Sequence, residues 1–366
     1  MPALERVLDG RDSALVALAP SADALGAALR VGEDIDDDVA LVATTSGTTG
    51  APKGALLTAA ALTSSAAATH DRLGGPGSWL LALPPYHIAG LQVLVRSALA
   101  GSVPVELDVS GGFDVAELPS AIRRLGSGRR YTSLVAAQLA KALTDPAAAA
   151  ALAELDAVLL GGGPAPQVVL AAAAAAGIAV VRTYGMSETA GGCVYDGVPL
   201  DGVLVRVAAD GRVVLGGATL AKGYRNPVDP DPFAEPGWFR TDDLGVVDDA
   251  GVLTVLGRAD DAIGTGGLTV LPQLVEAALG THPAVADCAV FGLPDDRLGQ
   301  RVVAAIVVAE GRPAPTLDAL RAHVTRTLDA TAAPRELHVV GALPRRGIGK
   351  VDRAALVRRF AGSAGQ

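Results

Sequence analysis

Short apolar runs, each closed by glycine or proline, alternate with alanine-rich stretches along the chain. Val39–Ala43, Trp79–Leu83, Ala157–Leu160 and Ile178–Val181 are compact apolar runs with little polar alternation, and Tyr131–Leu139 reads as a strand passing into a helix. That pattern predicts strands buried on both faces. Between them, Thr58 predicts an N-cap for a helix running to about Arg72, with Gly74 and Gly75 as its stop. The segment Gln92–Ser97 reads as an apolar helix interrupted by one charge, Arg96. Polyalanine at 147–151 and 171–176 is helix-forming, and 168–181 is expected to be a buried helix, a turn and a strand. After residue 196 the pattern shortens. Runs at 202–208 and 212–215 separated by turn signals predict a small β-rich subdomain. A helix start at Pro272 and apolar runs at 286–292 and 302–308 give the last third its own strand and helix signals. The fold class is therefore α/β.

Composition narrows the picture. The 366 residues suit about two domains. Half are hydrophobic but only 3% are aromatic, so Ala, Val and Leu must fill the core. A net charge of −9 argues against nucleic acid as a partner, and the acidic run 33–38 reads as a solvated loop. Cys193 and Cys288 stand far apart without ligand-spaced neighbours, which fits a reducing compartment. The first residues lack the apolar core of a signal peptide, and 168–181 is too short to span a bilayer. A cytoplasmic protein without a membrane span is expected; self-association into a homo-oligomer is left open. Lysine occurs only at 53, 141, 222 and 350 among 30 basic residues, so a lysine inside a glycine-rich loop attracts notice.

One such loop is Thr44-Thr45-Ser46-Gly47-Thr48-Thr49-Gly50-Ala51-Pro52-Lys53-Gly54, expected between a buried strand and a helix. Glycines let backbone N–H groups turn inward as an anion nest, hydroxyls add donors, and Lys53 adds a point charge. The pattern is not the Walker loop, because Pro52 rather than Gly precedes Lys53. Its natural guest is a polyphosphate. Further along, Gly161-Gly162-Gly163 closes one apolar run and allows close backbone approach to a flat ring. Tyr184-Gly185-Met186-Ser187-Glu188-Thr189 follows another. Tyr184 offers a stacking face, and Glu188 an oxygen ligand of the kind Mg²⁺ takes.

The Ser46–Gly54 loop, the Tyr184–Thr189 segment and the Gly349-Lys350 ending resemble, in this order, the adenylate-forming acyl-CoA synthetase superfamily. The resemblance runs from about residue 40 to 353. It implies a large α/β domain with a β subdomain (1–259), trimmed at its start, and a small mobile α+β cap (260–366). It also implies ATP, Mg²⁺ and coenzyme A as the cofactor and co-substrates, with an aromatic carboxylate as the small-molecule partner. By that resemblance Thr45, Ser46, Gly47, Thr48, Thr49, Gly50 and Lys53 would hold the β- and γ-phosphates, with Glu188 on the metal. Thr189 would donate to the α-phosphate. Gly161, Gly162, Gly163, Tyr184 and Gly185 would face adenine. The family's Thr-Gly-Asp reads Thr241-Asp242-Asp243 here. Asp243 becomes the ribose ligand, and Asp242 stands where glycine is expected. Arg258 would reach ribose or phosphate, Asp260 would be the hinge, and Gly266 and Gly267 would line the thiol channel. Lys350 would be the adenylation lysine. His87 and Ser133 would border the acyl pocket. If the helix after His87 lines that pocket, a buried Arg96 would select an acid with a second carboxylate. A monoacid aryl- or acyl-CoA ligase and a module that loads a carrier-protein thiol are the other readings.

Overall fold

Five strands lie parallel in one sheet in the order Val105–Glu106, Ser78–Leu81, Arg130–Val135, Ala157–Gly161 and Val180–Met186. Gly191–Tyr195 and Val198–Pro199 extend it antiparallel to seven strands. The computed structural model describes residues 1–20, 22–45, 52–346 and 350–361. The expected phosphate-loop residues Ser46, Gly47, Thr48, Thr49 and Gly50 lie outside that set.

Successive strand residues face opposite sides, so each strand feeds two cores. Leu80, Leu134, Val158 and Leu160 pack with Leu118, Ile122, Leu139 and Leu152 from helices Leu118–Arg124, Ala136–Leu143 and Pro146–Ala153. Trp79, Leu81, Tyr131 and Leu159 pack on the other side with Val93, Ala68, Val213 and Leu215. Those partners come from helices Ile88–Leu99 and Ala59–Arg72 and from the next sheet. That sheet is antiparallel, in the order Val203–Val207, Arg212–Gly217, Trp238–Val247 and Leu253–Arg258. The β subdomain expected after residue 196 is thus four strands.

Three expectations change. The glycine-rich loop does not run directly into a helix. Strand Val39–Ala43 pairs antiparallel with Ala55–Thr58, and only then does helix Ala59–Arg72 begin. The reason lies in Ala55-Leu56-Leu57, whose Ala and second Leu are fully buried against the preceding strand. Thr58 Oγ1 accepts from Ala61 N at 3.0 Å, as an N-cap does. Next, helix Gln167–Ala175 is not buried: Ala173 alone is. Alanine forms a helix through its own propensity and does not need a core. Third, Tyr184, Gly185 and Met186 are the end of a strand rather than a loop, and the turn is confined to Ser187–Thr189.

The carboxy-terminal body has a sheet ordered Leu268–Val270, Ile263–Thr265, Gly299–Val308, Val285–Asp295, with Glu336–Val339 parallel to Gly299–Val308. Its core is separate, built on Val275, Leu279, Val290, Ile306 and Leu320. Arg353 binds both oxygens of Glu276 at 2.7 Å and Asp261 at 3.0 Å, which ties its last helix to the first residues after the β subdomain. Among the described residues, no helix is long and apolar enough to cross a membrane.

Candidate active site

Parallel strands present their carboxyl ends at one edge, where open α/β sheets bind ligands. Pro84 to His87 follows the first of these ends. Ser133 sits near the second, Gly161 to Gly163 at the third, and Tyr184 to Thr189 at the fourth.

On the acyl side, His87 caps helix Ile88–Leu99 through its backbone, and its ring lies 4.8 Å from that of Tyr86. One turn and two turns further on, Gln92 and Arg96 face a cleft shared with Ser133, Thr183, Gly191 and Tyr195. Arg96 is 3% exposed. Its Nη2 donates to Tyr195 Oη at 3.3 Å, its Cζ lies 5.0 Å over the Trp79 ring, and its Nε has no partner. Among the described residues no carboxylate pairs with it. Burial pushes its pKa down, opposed only by Tyr195. Among the described residues, eight buried side-chain atoms lack a hydrogen bond; two belong to Gln92 and Arg96 in this cleft, and three to Ser97, His70 and Trp79. Buried polar atoms are seldom left unpaired, and they collect here where a polar ligand group belongs.

On the phosphate side, Thr45 has a buried hydroxyl without a partner, and Ser187 Oγ donates to Thr44 O at 2.9 Å. Lys53 is half-buried, its Nζ 5.3 Å above the Tyr224 ring. Glu188 is buried, and its Oε1 accepts from Tyr224 Oη at 2.7 Å. Burial raises its pKa; the Tyr224 hydroxyl and the charges of Lys53 and Lys350 act against that. Thr189 is fully buried, and its one hydroxyl proton is committed to the loop, closest to Gly191 O at 2.7 Å. In this structure it shapes the turn, and donation to a phosphate would require that bond to be exchanged. Gly185 tolerates no side chain, because a Cβ would stand 2.0 Å from Gly191 O.

On the nucleoside side, Tyr184 Oη donates to Asp243 Oδ2 at 2.7 Å. Burial raises the Asp243 pKa, countered by Tyr184, Arg258 and Lys350. Arg258 binds Asp260 through two 2.7 Å bonds, reaches Asp242 at 3.4 Å, and stands 3.8 Å from Asp243. Strand Trp238–Val247 runs on through Asp242, but residues 241–243 bulge against Val213, the register with Arg212–Gly217 stepping from Arg240 opposite Val214 to Leu244 opposite Arg212. Asp243 stays in register with Arg258, while exposed Asp242 is taken by Arg212 and Arg258. Gly266 and Gly267 form the exposed turn between Ile263–Thr265 and Leu268–Val270, with φ of +60° and +80°.

The charge of Lys350 is felt on all three sides. Its charge acts on His87, on Glu188 and on Asp243. His87 is pushed below the ordinary histidine value by burial and by this ammonium. The residues missed in the sequence are Tyr195 and Tyr224. A signal existed: with five tyrosines in 366 residues, each is unusual. Four of them, Tyr86, Tyr184, Tyr195 and Tyr224, stand at this edge.

Glycines and tyrosines gathered at the carboxyl edge of the sheet, with buried Glu188 under the charges of Lys53 and Lys350, suit a nucleotide with its anionic groups. The chain belongs to the AMP-binding enzyme family: the family model matches residues 12–225, and the AMP-binding enzyme C-terminal domain matches 274–350. It is 81% identical over 368 residues to a probable 2-succinylbenzoate–CoA ligase of Mycobacterium tuberculosis, covering 100% of this chain and 96% of that one. A 2-succinylbenzoate–CoA ligase of Geobacillus is 34% identical, over 87% of this chain and 69% of the relative. Among solved structures, o-succinylbenzoate CoA synthetase from Bacillus subtilis bound to the acyl-adenylate intermediate OSB-AMP superposes with a TM-score of 0.75 at 30% identity. That match covers 87% of this chain and 69% of the other. The same enzyme with ATP and magnesium ion gives 0.75 at 30% identity, covering 88% and 72%.

Proposed function

We propose that this chain is a 2-succinylbenzoate–CoA ligase of menaquinone synthesis, working with ATP, Mg²⁺ and coenzyme A. The relatives named above support that reading, and one structural observation carries the choice of acid. Arg96 is a buried guanidinium at the acyl cleft, and no protein carboxylate among the described residues balances it. A diacid supplies the missing charge. One carboxylate meets Arg96 and Tyr195 while the other is left to react.

In the first half-reaction an oxygen of that second carboxylate attacks the α-phosphorus of ATP. The bond from the α-phosphorus to the bridging oxygen breaks, and pyrophosphate leaves with the electron pair. Carboxylate and triphosphate repel each other, so placed positive charge is the chief requirement. Lys53 and the loop preceding it take the β- and γ-phosphates. Lys350 takes the carboxylate and α-phosphate, a role supported by the effect of its charge on His87, Glu188 and Asp243. Tyr184 and Gly161 to Gly163 take adenine, and Asp243 the ribose hydroxyls. Among the described residues no group of three His, Cys, Asp or Glu could hold a metal by itself. The single carboxylate of Glu188 would hold Mg²⁺, an ion that commonly takes one or two protein carboxylates beside substrate phosphates and water. When bound, that ion offsets phosphate charge. In the second half-reaction the coenzyme A thiol gives its proton to solvent and its sulfur attacks the acyl carbonyl carbon; the bond from that carbon to the phosphate oxygen breaks, and AMP leaves with the electron pair. For this the cap from 260 onward turns about Asp260, withdrawing Lys350 and bringing Gly266 and Gly267 to the thiol path. A CoA-dependent AMP-release screen across mono- and dicarboxylic aryl acids tests the reading. Equal turnover of benzoate and 2-succinylbenzoate would refute it.

A further inference from the structure

Tyr224 touches both Lys53 and Glu188. Its hydroxyl donates to Glu188 Oε1 at 2.7 Å, and its ring lies 5.3 Å beneath the Lys53 ammonium. Phe233 holds that ring edge-on at 5.4 Å. The backbone around it joins the same two motifs. Ala221 N donates to Glu188 O at 2.9 Å, Arg225 N to Gly54 O at 2.7 Å, and Asn226 N to Lys53 O at 3.0 Å. Residues 221–226 thus stitch together two motifs that lie 135 positions apart in the chain, 188 minus 53. Phenylalanine would fill the same space against Phe233, so packing alone does not explain a hydroxyl aimed at a buried carboxylate.

We propose that Tyr224 is a positioning residue for the magnesium–triphosphate, its hydroxyl fixing one oxygen of Glu188 and its ring fixing the ammonium of Lys53. The inference rests on the phosphate and metal roles proposed for those two residues. Groups that orient a metal's carboxylate typically affect affinity 10- to 100-fold. A ring under an exposed ammonium is worth about 0.5–1 kcal/mol, or roughly 2- to 5-fold.

The test is calorimetric titration of the full chain with α,β-methylene-ATP, with and without Mg²⁺, for Tyr224→Phe, Tyr224→Leu and Glu188→Gln. Tyr224→Phe is expected to bind the metal-free analogue within about twofold of wild type. It should lose about 10-fold of the gain that Mg²⁺ confers. In turnover, half-saturating Mg²⁺ rises while kcat at saturating Mg²⁺ is largely restored. Tyr224→Leu should also weaken metal-free binding about 2- to 5-fold. If Tyr224→Phe keeps the wild-type magnesium gain while Glu188→Gln loses it, the inference fails and the role of Glu188 stands. If Glu188→Gln itself keeps the gain, the role of Glu188 fails and takes that of Tyr224 with it. Collapse of the Tyr224→Phe fold in a thermal melt would assign the hydroxyl to the core and also overturn the inference.

Discussion

Replacing Arg96 with methionine separates recognition from stability. Arg96 is 3% exposed, and among the described residues its guanidinium bonds only the Tyr195 hydroxyl, with Nε unpartnered. Bound to a carboxylate it would gain two charge-assisted hydrogen bonds, each worth about 1.5–3 kcal/mol. Their loss, discounted because the ligand retains Tyr195, is about 3–4 kcal/mol. That corresponds to roughly 10²- to 10³-fold in kcat/KM for 2-succinylbenzoate. Stability moves the other way. An unbalanced buried charge is removed while the side-chain volume beside Trp79 is kept, so the unfolding midpoint should hold or rise. The assay is CoA-dependent AMP release with 2-succinylbenzoate and with benzoate, beside a thermal melt. Benzoate turnover should change by less than about threefold, since it has no second carboxylate to lose. Equal losses on both acids, or a midpoint that collapses, would refute the reasoning.

Lys350→Ala should abolish acid-dependent pyrophosphate release by about 10³-fold or more while sparing thioester formation from supplied acyl-adenylate. Parallel loss of both half-reactions would reject its assignment. His70 is buried beside Trp79 and Arg96, and burial followed by the Arg96 charge depresses its pKa. Its unfolded form therefore takes a proton first as pH falls. Stability present above the ordinary value of 6.5 is lost as pH drops below it toward the folded value. Melting of His70→Gln should show a flatter decline between about pH 7 and 5 than wild type. Asp242→Gly removes a carboxylate shared by Arg212 and Arg258, yet Arg258 keeps Asp260. Exposed pairs of this kind are worth at most about 1 kcal/mol, so the melt and the KM for ATP should move little. A tenfold rise in KM would show that Asp242 positions Arg258 for the nucleotide.

Much of the sheet was legible because its strands announce themselves. Ala157–Leu160 is apolar throughout, as a strand covered on both faces must be. Their order across the sheet was not legible, since it is set by packing between distant segments. Strand Ala55–Thr58 escaped notice because its hydrogen bonds depend on partners elsewhere, among them Gly223 and Lys222. The lysines stood out through their scarcity. Tyr184 stood out through its motif, but Tyr195 and Tyr224 did not, although they touch Arg96, Glu188 and Lys53. A tyrosine gains meaning only from what its hydroxyl faces, and Thr69, Arg96 and Glu188 lie far from them in the chain. Asp242 looked disruptive in the sequence because the arginine that takes it beside Arg258 comes from another strand.

Trp79 lies fully buried beneath the Arg96 guanidinium, and the chain has one other tryptophan, Trp238, covered by Arg206 at 4.1 Å in the antiparallel sheet. The molecule therefore carries an intrinsic optical gauge next to its acyl cleft. With Trp238 replaced by phenylalanine, ultraviolet emission from one indole would register the arrival of an acid without a dye, a coupled enzyme or a label.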